Sequence, residues 1–113
     1  MTTWQPVAKA AEIPPERVAV FHVGDHEVAV CNVGGEFYAI DDLCTHDGGS
    51  LDQGELEDAE IECPRHGARF DLFTGQVKAL PAVYPVNSYP VRVRDGVVEI
   101  DLGVKTRPLE IGG

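Results

Sequence analysis

Short apolar runs that alternate with polar residues, broken by glycine and acidic turns, dominate this 113-residue chain. "RVAVFHV" (17–23) and "EVAVCNV" (27–33) face each other across "GDH", a hairpin signal that contains glycine. "EFYAID" (36–41) follows Gly34-Gly35, and "AEIE" (59–62) leads into Cys63. "RFDLF" (69–73) ends at the turn "TGQ". "YPVRVR" (89–94) and "VVEIDL" (97–102) flank Asp95-Gly96, the strongest hairpin turn in the sequence. No segment keeps a period of about 3.6 over any length. The one helix candidate is "VAKAAEI" (7–13), which Pro14 and Pro15 stop. The pattern predicts an all-β fold, an antiparallel β-sandwich or small barrel.

Size and charge narrow this picture. The length suits a single domain, expected over residues 1–103, with 104–113 a loosely attached tail. No apolar run approaches the roughly 20 residues that a bilayer needs, and the first residues lack a signal-peptide pattern. A cytoplasmic protein without a membrane partner is the expectation. The net charge is −10, which argues against nucleic acid as a partner. From Val18 through Pro64 there is no Lys or Arg, yet twelve acids fall there. That interval reads either as a solvated surface or as a face that steers a basic partner, and the two are compatible.

The chemistry lies in two loops. "CTHDGG" supplies Cys44 and His46, and "CPRHG" supplies Cys63 and His66, with sixteen residues between His46 and Cys63. Both pairs sit in glycine-bearing loops where the strand pattern fails, which suits a site carried by a rigid scaffold. Two Cys and two His could hold a structural zinc, although zinc fingers usually group like with like. A Cys44–Cys63 disulfide is disfavoured in a reducing compartment. If one iron of a [2Fe–2S] cluster takes two thiolates and the other two imidazoles, each loop has to supply one of each, and this is the Rieske ligand set.

The sequence "CTH", sixteen residues, "CPRHG" closely resembles the motif of the Rieske iron–sulfur family, and the likeness runs from Trp4 to about Leu102. "ALPAVYPVNSYPVRVRDGVVEI" is similar to the family's ending, in which a proline-bearing loop covers the cluster before a last hairpin. The resemblance implies one [2Fe–2S] cluster per chain, with Cys44 and Cys63 on one iron and His46 and His66 on the other. It implies two cluster-binding loops at one end of the sandwich, with Pro81 in the covering loop. Membrane-anchored relatives carry an extra disulfide beside the cluster, where this chain has Gly49 and Arg65. The likeness is therefore to the soluble, low-potential ferredoxins of aromatic-ring dioxygenase systems. High-potential relatives place hydrogen-bond donors where Ala68 and Phe70 stand here. Each missing donor costs the reduced cluster ~1.5–3 kcal/mol, or roughly 60–130 mV. Arg65 and Arg69 would oppose this, less so if exposed and screened. The expectation is a potential toward the lower end of the roughly −150 to +300 mV Rieske range.

The resemblance implies a one-electron carrier rather than an enzyme. It would be a monomer that takes electrons from a flavin-containing reductase and passes them to a terminal oxygenase by transient docking. Two other readings stay open: the small subunit of an assimilatory nitrite reductase, and a structural zinc-binding module. Among the remaining residues, Cys31 reads as core. His22, Asp25 and His26 could be imagined as a two-His, one-carboxylate iron triad, but a chain this short has little room for the pocket it needs. Trp4 and Tyr38 read as sheet-packing aromatics, with no basic surface beside them.

Overall fold

The computed structural model describes residues 4–24, 26–43, 49–64, 67–80 and 85–103. The strands are β1 (Trp4–Lys9), β2 (Arg17–Val23), β3 (His26–Val33), β4 (Glu36–Asp41), β5 (Glu55–Glu57) and β6 (Glu60–Glu62). They continue with β7 (Arg69–Asp71), β8 (Val77–Ala79), β9 (Ser88–Tyr89), β10 (Val91–Arg94) and β11 (Val97–Asp101). They form three sheets, ordered β1-β11-β10, β2-β3-β4-β9 and β5-β6-β7-β8, and every pairing is antiparallel. Asp95 and Gly96 make the β10–β11 turn with φ of 52° and 77°, the primed-turn geometry expected of Asp-Gly.

The expected helix over 7–13 is not formed. Val7–Lys9 complete β1, which pairs with β11, and only Ala10–Glu12 make a single 3-10 turn. The ladder offered by β11 outweighs the weak helix propensity of a short segment that has to stop before Pro14. No α-helix occurs among the described residues.

Strand β3 explains how the layers stack. Val28 to Asn32 are buried without interruption, so the alternation of an ordinary half-buried strand is lost. One face, Val28 and Val30, packs with Ala39, Tyr89, Val98 and Ile100 toward the β1-β11-β10 sheet. The opposite face, Ala29 and Cys31, packs with Ile40, Leu51, Ile61, Cys63 and Phe70. The central sheet is thus covered on both sides, and a strand in that position must be apolar on both faces. Asn32 is tolerated inside because its amide donates to Ile13 O at 2.7 Å and accepts from Gly35 N at 2.8 Å. The second core is the one that carries the candidate site.

Candidate metal centre

Cys63 follows β6 directly, on the side of the sheet occupied by Ile61, and its residue is fully buried. Its N–H donates to Ala68 O at 2.6 Å, and Gly67 N–H donates to Cys63 O at 3.1 Å. These bonds close the second loop at its base. The Cys63 thiol is free and packs in one cluster with Leu51, Ala68 and Phe70. Of the four expected ligands, Cys63 is described. Cys44, His46 and His66 lie outside the described residues, as do Arg65 and Pro81 of the flanking and covering segments.

The stems of the first loop are held by two adjacent carboxylates. Asp42 Oδ1 accepts from Leu51 N at 2.7 Å and from Asp52 N at 2.9 Å, so it spans the segment containing Cys44 and His46. Beyond that segment, Gly54 N–H donates to Leu51 O at 2.8 Å. Gly54 lies against the backbone of Glu62, where a β-carbon would stand 2.1 Å from the carbonyl oxygen. Only glycine permits that approach. Because Glu62 precedes Cys63, this contact sets the stem of one loop against the stem of the other.

Asp41 holds the other flank. Its N–H donates to Asn87 O at 3.0 Å, and its carboxylate accepts from Asn87 Nδ2 at 2.8 Å and from the Tyr89 hydroxyl at 2.5 Å. The chain returning from the expected covering loop is therefore bound to the strand leading into Cys44. Burial, then the bond to Asp41, pushes the Tyr89 phenol well above its ordinary pKa. Burial likewise raises the Asp42 carboxyl above its ordinary value, although the Leu51 N–H works against this. Neither carboxylate's role is visible in the sequence beyond the Asp-Asp pair that precedes the first loop.

The surroundings of Cys63 bear on the redox expectation. Ala68 and Phe70 are both fully buried in its cluster, and neither side chain carries a donor. Arg69 is not a lone cation. Its guanidinium bonds Glu60 at 3.0 Å, Glu57 at 3.1 Å and Glu62 at 3.2 Å, so the group as a whole is net negative. The pull of Arg69 toward a higher potential is therefore offset by the carboxylates around it. The register Glu55↔Glu62 and Glu57↔Glu60 sets like charges opposite each other, and Arg69 sits where it offsets them.

Cys31 is core, and burial, then the charge of Asp42, pushes its thiol up to about 12. His22 and His26 do not converge. His22 pairs with Glu27 and His26 with Val23 in the ladder, so they lie on opposite faces, and Asp25 is outside the described residues. His26 instead meets the Tyr89 ring edge-on. Tyr38 packs against the second core. Trp4 differs from expectation in one respect: the Arg92 guanidinium lies 4.4 Å from its ring centroid. Arg92 is also paired with Glu99 at 2.6 Å, so no uncompensated basic surface results.

A buried free thiol at the mouth of a backbone-closed turn, joined through Gly54 to the stem of a second Cys/His loop, fits a cluster shared between the two loops. The chain belongs to the Rieske [2Fe-2S] domain family, whose model matches residues 3–90. It is 53% identical over 76 residues to the 3-phenylpropionate/cinnamic acid dioxygenase ferredoxin subunit of Shigella flexneri, covering 66% of this chain and 72% of that one. It is 38% identical over 102 residues to the biphenyl 2,3-dioxygenase ferredoxin component of Rhodococcus jostii, covering 88% of this chain and 95% of that one. Among solved structures, the complex of reduced oxygenase and oxidized ferredoxin in carbazole 1,9a-dioxygenase matches at 37% identity and TM-score 0.83, covering 95% of this chain and 97% of that one. A putative NADH-dependent nitrite reductase small subunit from Mycobacterium tuberculosis shares the fold alone, at 21% identity, TM-score 0.81, and coverage of 89% of this chain and 96% of that one. The cofactor of this protein is a [2Fe–2S] cluster, one per chain, and its role is electron transfer rather than catalysis. No helix among the described residues is long and apolar enough to cross a membrane.

Proposed function

We propose that Cys44 and Cys63 hold one iron of the cluster and His46 and His66 the other. In this reading the chain carries single electrons from a flavin-containing reductase to a terminal ring-hydroxylating oxygenase. The observation that supports it most is Cys63, a fully buried free thiol whose loop is closed at the base by Cys63–Ala68 and Cys63–Gly67 backbone bonds. When bound, the cluster supplies a one-electron couple at a mixed thiolate and imidazole site. The chain's own residues exclude water from Cys63 with Leu51, Ala68 and Phe70, and they withhold side-chain donors from it. Both effects favour the oxidised form and suit a donor of low potential. The carboxylates on β5 and β6 steer basic partner surfaces into brief encounters. The protein acts as a monomer in the cytoplasm, with residues 1–103 as the working domain.

The test is EPR of the dithionite-reduced protein together with iron and sulfide analysis. Two irons, two sulfides and a rhombic signal of low average g are expected. Zinc with no signal would overturn the ligand assignment. Reduction by a flavin reductase, followed by oxidation by a ring-hydroxylating oxygenase in stopped flow, tests the partners.

A further inference from the structure

The carboxylate of Asp42 spans the first loop from a position just before it. It accepts the N–H groups of Leu51 and Asp52, nine and ten residues on, through a single oxygen. Its own N–H is anchored to Glu27 O at 2.9 Å on the central sheet, so the clamp has a fixed base. Leu51 is fully buried in the same cluster as Cys63. From Leu51 the path continues through Gly54 to the backbone of Glu62, the residue before Cys63. One oxygen atom thus links the strand that leads into Cys44 to the turn that presents Cys63.

Asp42 is partly buried. Two hydrogen bonds from backbone N–H groups to a carboxylate are strong enough to hold it there.

We infer that Asp42 is the positioning residue of the first cluster loop: its carboxylate sets the separation and orientation of the two loops that share the cluster. The inference rests on the reading that Cys44 and His46 are ligands. Asp42 is not itself a ligand. It acts by fixing the stem on which those two donors are carried.

Three variants of the full chain test it. Asp42→Asn keeps an oxygen in place to accept both N–H bonds, and should retain full iron and sulfide with unchanged g-values. Asp42→Ala removes the acceptor, and should lose iron to a chelator severalfold faster and broaden the EPR signal, while its far-UV circular dichroism stays that of a β protein. Asp42→Glu keeps the charge but lengthens the arm, and should shift the g-values in a protein that still folds. It decides the matter even if the alanine variant does not fold. Wild-type behaviour in both Asp42→Ala and Asp42→Glu would overturn the inference. Loss of the cluster in Asp42→Asn as complete as in Asp42→Ala would also overturn it, because charge rather than the hydrogen bonds would then be the requirement. A wild-type protein without iron and sulfide would instead overturn the ligand reading beneath it, so the two failures are told apart.

Discussion

Gly75 lies so close to the carbonyl oxygen of Val86 that a β-carbon on it would stand 1.8 Å away, with φ at +79°. Its own carbonyl accepts from Val86 N at 2.9 Å, so the tip of the β7–β8 hairpin is tied to the chain returning from the expected covering loop. Gly75→Ala has no flexible side chain to displace and would have to move backbone. It should destabilise the protein by about 3 kcal/mol or more, read by thermal denaturation at matched cluster content. A loss under about 1 kcal/mol would mean that the two segments separate easily.

Tyr89 and Asp41 give a second prediction. Tyr89→Phe removes a partly buried hydrogen bond to a carboxylate and should cost about 1.5–3 kcal/mol. The phenol's pKa is raised in the fold, so its contribution is complete below about pH 10, the unfolded value. It is lost as pH rises beyond that, because the unfolded chain then releases a proton that the folded one keeps. Chemical denaturation between pH 9 and about 11 should show this decline in the wild type and a shallower one in Tyr89→Phe.

Phe70→Tyr introduces a hydroxyl into the cluster of residues around Cys63. The reduction potential should rise by roughly 60–130 mV, the equivalent of a bond of about 1.5–3 kcal/mol to the reduced form. Protein-film voltammetry measures this directly. An unchanged potential would remove donor loss at this position as a cause of the low potential proposed above.

Arg69→Gln leaves Glu57, Glu60 and Glu62 without their shared cation. The melting temperature should fall at low ionic strength and recover toward wild type in high salt, because repulsion between these partly exposed carboxylates is screened. The potential should move downward, since net negative charge beside the second loop grows. An upward shift would contradict the compensated role given to Arg69.

Much of this architecture is legible in the chain. The 17–23 strand and the Asp95-Gly96 turn stand where the alternation and turn chemistry put them. "RFDLF" overran its strand because Asp71 Oδ1 draws the N–H groups of Phe73 and Thr74, each at 2.9 Å, into a turn. Strands β5 and β8 escaped notice because three residues give no measurable period. Val7–Lys9 reads as helical alone and becomes strand because β11 is there to pair with it. Cys63 could be singled out as a candidate because thiols and imidazoles are rare and their spacing is informative. Asp42 could not, since it is one acid among twelve between Val18 and Pro64 and its partners are backbone groups that carry no sequence signal. Arg69 could be seen as a charge, but the three glutamates around it come together only through the β5–β6–β7 register.

The interior is divided into two packed cores that share the central sheet, and Cys63 belongs to one of them. The other, from Ile13 and Val23 to Val98 and Ile100, contains no candidate ligand among the described residues. Oxidants that strip the iron should therefore leave half of the molecule standing as a template.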